Sequence, residues 1–519
     1  MQDTTMDADV IVVGAGPTGL MLAGELSLGG ARVIVLDKLA EPTGQSRGLG
    51  FTARAMEVFD QRGLLPGFGQ GETLEVSAVG HFGGVQFDFT ALEGAHFGAR
   101  GIPQSDTEAV LHRWAADSGA DIRRGCEVLD LADGFLDGDH VEITVDTPDG
   151  IRQLRAPYLV GCDGGRSTVR KLAGVDFPGT EATRAMFLAD VTGCDLKPRY
   201  LGERLPNGMV MAAPLKEGVH RIIVCPHGAA ARSADDTVTF EEVAAAWEHI
   251  TGEDISGGGA EWVSFFSDAT RQVTDYKRGR VLLAGDAAHI HLPAGGQGLS
   301  TGVQDAANLG WKLAAVVTGR ASEALLDTYH CERHPVGRRL LMNTRAQGMV
   351  FLGGEQSEPL QKIISELTGY DTVRRHLAGI VSHLDVRYDV GEGDSAVGHP
   401  LLGRRIGKHP LTGPDGDTDT FRLLHAGRGV LLDLAGDARL RDATAAWSES
   451  VDVVTATASA ADGVAVFAGA AAVLVRPDGH VVWTGTGAID GLGTALARWF
   501  GTPVGHAAAP QDAGAVAAS

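Results

Sequence analysis

DADVIVVGAGPTGLMLAGELSLGGARVIVLDK, residues 7–38, decides how this chain is read. An apolar run, VIVV, leads into GPTGLMLAGELSLGG, whose spacing predicts an amphipathic helix ending at glycine; VIVLD is a second apolar run. Two buried strands joined by a helix predict a parallel βαβ unit. Gly14, Gly16 and Gly19 stand between the first strand and the helix in GxGxxG spacing. These glycines permit a tight turn and a close approach to a pyrophosphate, and the helix N-terminus offers it N–H donors. Asp37 ends the second strand, where a carboxylate accepts ribose hydroxyls. The stretch predicts a dinucleotide and does not choose between FAD and a nicotinamide.

A distant segment makes that choice. GDAAHIHLPAGGQG, residues 285–298, follows the short apolar run RVLLA. Asp286 falls just past the end of that strand, where ligands sit in open α/β sheets. PAGGQG then supplies backbone N–H groups with little side-chain obstruction, a nest suited to an anionic or electron-rich ring edge. No second GxGxxG occurs in strand–turn–helix context. One extended cofactor gripped from two parts of the chain, FAD, is therefore expected. A third element, GCDGGRSTVRK at 161–171, ends a strand at Asp163 and Gly164, with Arg166 and Arg170 beyond; taken alone it reads equally well as a turn with solvated arginines.

The rest of the chain sets bounds. A net charge of -22 argues against nucleic acid and against an anionic membrane surface. Five cysteines without CxxC spacing read as free thiols in a reducing compartment, and no basic-then-apolar leader or membrane-length apolar run is present, so a cytoplasmic protein is expected. Alternating segments with turn residues between about 177 and 270 predict an antiparallel sheet with one helix, FEEVAAAWEHI. The expected division is 1–176 and 271–398 for two parts of a cofactor domain, 177–270 for a substrate domain and 399–519 for a C-terminal unit. That last unit has the strand and helix order of a thioredoxin fold, with PDG as a hairpin turn and HAAAPQDAGAVAAS as a disordered tail. It contains no cysteine, so thiol redox chemistry is excluded and a structural or homodimerisation role remains.

GAGPTG, CDGGRSTVRK and GDAAHIHLPAGGQG, in this order and spacing, resemble the class A flavoprotein aromatic hydroxylases. SRGLGFTARAMEVFDQRG, HFGG, PQSDTE, RIIVCPHG, ATRQVT and LLMNTRAQG look particularly like the angucyclinone hydroxylases of aromatic polyketide pathways, and the likeness runs from about residue 8 to about 505. The resemblance implies an α/β fold: a Rossmann-like FAD-binding domain of the glutathione-reductase-like type, an antiparallel-sheet substrate domain and a thioredoxin-like C-terminal domain. It implies NADPH as transient co-substrate, O2, and transfer of one oxygen atom from a flavin C4a-hydroperoxide to a polycyclic aromatic substrate. By the same resemblance Gly14, Gly16 and Gly19 cradle the pyrophosphate and Asp37 holds the adenosine ribose. Arg47 lies near the flavin, Gln104 holds the ribityl or flavin region, Asp163 serves FAD and NADPH, and Asp286 bonds the ribityl chain. Pro293, Gly295, Gly296, Gln297, Gly298 and Leu299 wrap the isoalloxazine, with Arg47 and Pro293 positioned at C4a and no general base assigned. The family's Asn after GQG and one apolar residue is Ser300 here, which puts that side chain's role in question.

Other patterns are weighed against blander readings. Met209, Met211 and Phe187 are expected either to wall a substrate pocket or simply to pack in the core. GQSRG, 44–48, matches GxSxG, yet the strand ends at Asp37 and a proline-broken loop intervenes, so no nucleophile elbow is expected. His289 and His291 offer two ligands without a third, and no metal is expected. Rival functions are the same chemistry on another large phenolic such as a rifamycin, or a flavin-binding reductase or scaffold that does not oxygenate. WxWxIP and FxGxxxH, marks of flavin halogenases and Baeyer–Villiger enzymes, do not occur.

Overall fold

In the computed structural model, which describes residues 5–69, 79–92, 98–233, 235–391, 398–459 and 461–502, VIVV is buried at all four positions. It lies inside a six-stranded sheet, as a near-continuous apolar run should when both faces of a parallel sheet are covered. Val10–Val13 pairs in parallel with Val33–Asp37 on one side and with Tyr158–Gly161 on the other, and Tyr158–Gly161 pairs in parallel with Val281–Leu283. Three strands adjacent in space thus come from residues far apart in the chain. The helix Pro17–Leu28 starts with proline in its first turn, where the missing N–H costs nothing, and packs against the long helix Gln297–Val317.

The substrate sheet has five antiparallel strands, in the order Arg199–Leu205, Gly208–Lys216, Val219–Pro226, Ala185–Thr192, Gly259–Ser267. Both of its faces are covered, which period-two alternation makes separable. Ala189, Val191, Val210, Ala212, Ile222 and Val224 face the helix Phe240–Thr251, where Trp247 is fully buried. Met186, Leu188, Met209, Met211, Arg221 and Ile223 face the other way, into a cavity. Phe187 belongs to the helix-side cluster, partly buried under the Arg232 guanidinium. Of the two readings of Phe187, pocket wall or core, core packing is what the structure has: its neighbours Met186 and Leu188 take the cavity face, because successive residues of a strand point to opposite sides.

The C-terminal sheet runs Val451–Thr455, Gly429–Asp433, Ala472–Val475, Val481–Gly485, with the first pair parallel and the others antiparallel, the thioredoxin-like order. Its PDG turn, Pro477 to Gly479, plugs into the cofactor domain. Arg62 donates to Pro477 O and Leu424 O, and Arg54 donates to Asp478 O. The tail HAAAPQDAGAVAAS lies outside the described residues. None of the helices described is long and apolar enough to cross a membrane.

Candidate active site

The three glycine-bearing motifs sit at the carboxyl ends of the three neighbouring parallel strands, the crevice where open α/β sheets bind ligands. They touch one another. A Cβ at Gly14 would lie 2.4 Å from Cys162 O, and one at Gly19 would lie 1.9 Å from Gly14 O. Thr18 of the first motif is wedged between Gly285 and Gly302, where an added Cβ would approach its Oγ1 to 2.7 and 2.3 Å. The turn and the distant loop therefore form one surface, as a single extended cofactor requires.

That surface opens into a cavity of about 1310 Å³. Its lining includes Gly14, Gly16, Asp37, Arg47, Gln104, Asp163, Asp286, Pro293, Gly295, Gly296, Gly298 and Leu299. Two expected residues are not on the wall. Gly19 is internal, where only a hydrogen fits against Gly14 O, and Gln297 is fully buried with its side chain turned into the protein.

Local hydrogen bonds show how each group is held. Asp37 accepts from Ala15 N at 2.7 Å and Leu39 N at 2.9 Å, which straps the glycine turn to the second strand. Gln104 accepts from Gly48 N at 3.2 Å and donates to Glu108 at 2.8 Å, tying the Arg47 loop to the helix Gln104–Asp117. Asp163 is spent on its own helix: it accepts from Ser167 Oγ, Thr168 N and Val169 N. Arg170 is not solvated. It is buried, donates to Ala287 O and Gly165 O at 2.9 Å, and its guanidinium lies 3.9 Å from the Phe177 ring centre. It rivets the second motif to the third. Ser300 accepts from Thr52 N at 2.8 Å, so its hydroxyl joins two helices inside the protein. Ser46 of GQSRG is buried against Ser105, which explains that serine as packing.

Asp286 differs from all of these. Its carboxylate is exposed to the cavity and takes no hydrogen bond from a described residue; desolvation by the surrounding crevice raises its pKa, with His289 and Arg47 pulling the other way. An unpartnered acceptor there fits a polyhydroxylated chain. Gly295 and Gly296, at φ 71° and 65°, give the adjacent loop the left-handed turn that a side chain would resist. A Cβ at Gly16 would meet nothing within 4 Å, so the backbone there is bare toward the cavity. The residues present fit FAD.

Sequence reading missed the supports. Asp305 accepts from Arg333 Nε at 2.7 Å, is bonded to His289 Nε2 at 2.8 Å and accepts from Gly285 N at 3.1 Å. Burial opposes its charge, but Arg333 and His289 outweigh it and hold the carboxyl below its ordinary range. His289 is thus fixed by Asp305, whereas His291 bonds Leu292 O and is pushed down to about 4 by burial. On the far part of the cavity's sheet face, Asp190 grips Arg221 through both carboxylate oxygens, with Trp262 beside the guanidinium. From Arg221 to Cys225, which packs near Leu292 of the glycine-rich loop, the strand covers roughly 13 Å at ~3.3 Å per residue.

A family model described as FAD binding domain matches residues 7–344, and one described as aromatic-ring hydroxylase, C-terminal, matches residues 399–503. The chain is 44% identical over 514 residues to a 12-dehydrotetracycline 5-monooxygenase/anhydrotetracycline 6-monooxygenase of Streptomyces rimosus, covering 96% of this chain and 100% of that one. It is 44% identical over 499 residues to a rifampicin monooxygenase of Streptomyces venezuelae, covering 95% and 98%. Among solved structures, CabE, an aromatic hydroxylase from angucycline biosynthesis, superposes with a TM-score of 0.90 at 60% identity, covering 96% of this chain and 100% of that one. With the glycine-lined crevice, the antiparallel sheet beside it and the thioredoxin-like unit all in place, this chain belongs to the FAD-dependent aromatic-ring hydroxylases, flavoprotein monooxygenases that use dioxygen and a reduced nicotinamide.

Proposed function

We propose that this enzyme hydroxylates a polycyclic aromatic polyketide of the angucyclinone type, with NADPH as reductant, in the biosynthesis of an antibiotic. The observation that carries the reading is the cavity's size and two-part character. About 1310 Å³ exceeds the roughly 300–1,000 Å³ of a site for one small ligand, so a second large molecule fits beside FAD. The part beyond the flavin motifs is floored by Met186, Leu188, Met209, Met211, Ile223 and Phe266, an apolar face suited to flat fused rings. Arg221 at its far part is held ready for an oxygen substituent, and a span of roughly 13 Å suits several fused rings better than one. The likeness to CabE supports an angucyclinone over other polyketides.

Bound FAD supplies the reduced flavin that activates dioxygen. The chain's own part is to hold and to exclude. Asp37 and the bare backbone at Gly14 and Gly16 would take the adenosine and pyrophosphate, Asp286 the ribityl hydroxyls, and the loop at 293–299 the ring edge, with Arg47 and Pro293 beside it. The methionine-lined wall would keep water from the reacting centre and fix the aromatic ring at attack distance. An already electron-rich phenol needs no further general base. As in its relatives' class, the substrate is a small molecule; the C-terminal unit is read as structural or homodimeric, and the protein as cytoplasmic.

The test is stopped-flow oxidation of NADPH by the FAD-loaded enzyme, with and without an angucyclinone, followed by product mass under isotopically labelled dioxygen. Faster oxidation with substrate and a product heavier by one labelled oxygen are expected. Hydrogen peroxide as the sole product would reject the angucyclinone and turn attention to a rifamycin, the substrate named for a relative of 44% identity. Absence of any reduction by NADPH would reject the reductant.

A further inference from the structure

One residue outside the expected site is built in an unfavourable conformation. His383, just after the helix Asp371–Ser382, has φ 62° and ψ 16°, the sole left-handed non-glycine among the described residues. A left-handed backbone is unfavourable for a residue with a Cβ, and helix ends that need it normally use glycine or asparagine. Strain of this kind persists where surrounding contacts demand it.

The contacts are a closed ladder of buried side chains. Gln304 Nε2 lies 2.9 Å from His383 Nδ1 and 3.0 Å from Ser300 O. His383 Nε2 lies 3.2 Å from Gln297 Oε1, which also accepts from Asn343 Nδ2 at 2.9 Å. Gln297 Nε2 donates to Ala294 O at 3.0 Å. Gln347 bonds Asn343 and accepts from Gly83 N. The backbone oxygens at the two ends, Ser300 O and Ala294 O, can only accept. Both glutamines must therefore point NH₂ at them, so Gln304 donates to Nδ1 and Gln297 accepts from Nε2. His383 is left one state, neutral with its proton on Nε2; burial, which pushes it down to about 3, agrees. Its neighbours Val381, Ser382 and Leu384 line the cavity.

We propose that His383 is a positioning residue for the flavin loop: through Gln297 it clamps residues 294–297 into the shape that receives the flavin ring before FAD arrives. The proposal rests on the reading that residues 293–299 hold the isoalloxazine. Glycine or asparagine at 383 would relieve the backbone but could not span from Gln304 to Gln297, which accounts for the retained imidazole.

The test compares FAD affinity, by flavin fluorescence quenching on the full-length apoprotein, with apoprotein melting temperature. Peroxide released per NADPH oxidised is read in the same preparations. His383→Asn is expected to weaken FAD binding about tenfold, the scale of one or two net hydrogen bonds, and to raise the peroxide fraction, with melting shifted by no more than a few degrees. A lowered melting temperature with FAD affinity within twofold of wild type would overturn the proposal, since that is the signature of a merely structural residue. Gln304→Met, which removes only the partner of Nδ1, is measured alongside; should His383→Asn fail to fold, a loss of about threefold in affinity by Gln304→Met is required. Gly296→Val separates the two levels. If it weakens FAD binding and His383→Asn does not, the clamp is wrong and the loop reading stands; if neither does, the loop reading has failed.

Discussion

Charged side chains matter in two regions of this molecule, the buried seam between its units and the cavity, and the regions treat them in opposite ways. At the seam between cofactor domain and C-terminal unit every strong charge is answered. Glu332 accepts from both Nη atoms of Arg476 at 2.6 and 2.9 Å, from Lys312 at 2.8 Å and from Asn308 at 2.6 Å. Asp478 takes Arg476 at 2.5 Å, Glu57 takes Arg54 and Arg405, and Glu25 takes Arg62. Glu332 is held at about 2 because Arg476 and Lys312 overcome the burial that would raise it, whereas burial still raises Glu25 and Glu57 despite their arginines. In the cavity, Asp286 has no such answer and its pKa is raised. Closed networks of buried ions contribute little net stability but penalise any misfit, so the seam fixes how the two units dock. An open charge beside bare backbone is what the proposed contact to FAD would use.

The largest effect should come from opening the closed network. Glu332→Ala leaves Arg476 and Lys312 short of a partner and should cost about 3–5 kcal/mol in urea unfolding. A loss below 1 kcal/mol would mean that the seam is solvated and the contrast between the regions false. Acidification comes next. His480 at the seam sits at about 4 and His291 in the cavity at about 4, both lowered chiefly by burial from an ordinary 6.5. Their folded values lie below the unfolded one, so stability is full above pH 6.5 and is lost as the pH falls toward 4. Each contributes up to about 1.4 kcal/mol per pH unit, and His480→Gln should remove about one proton from the unfolding uptake at pH 5. An unchanged proton uptake would show that His480 titrates normally.

Asp286→Asn sharpens the comparison through opposite signs. The apoprotein should be as stable as wild type or slightly more so, since an unanswered charge in a crevice that disfavours it is gone, while FAD binds about tenfold more weakly. Loss of stability without loss of affinity would place Asp286 with the structural charges. The most local change is Ser300→Ala, which leaves the buried Thr52 N without its acceptor and should cost about 1–3 kcal/mol, with FAD affinity and the flavin spectrum unchanged. A shifted flavin spectrum would give this serine a direct role at the cofactor.

What could be read from the residues alone was local. VIVV followed by GAGPTG is a strand and a phosphate turn wherever it occurs, because apolar runs bury and glycine permits the turn; the same holds for RVLLAGDA. The meeting of those segments was inferable because one cofactor needs both. Which face a residue takes was not: AMFLAD is apolar on both sides, since the sheet is covered on both, and no alternation marks Phe187 as turned from the cavity while Met186 lines it. For Arg170 the residues leave a solvated and a built-in reading equally open; it is buried, and its acceptor Ala287 O is 117 residues away, beyond any local signal.

The sequence by itself determined the strands, the turns and the chemistry that glycine and carboxylate bring to the strand ends, because those depend on neighbours along the chain. Tertiary structure alone decided which charges are answered and which are left open. Asp286 and Asp305 are aspartates on either side of the glycine-rich loop, yet Arg333, 28 residues beyond Asp305, makes that one a strut while Asp286 has no hydrogen-bond partner among the described residues. His383 meets Gln297 across 86 residues, and Glu332 meets Arg476 across 144. Partners at such separations are brought together by packing of whole helices and sheets, and no local spacing carries their signal.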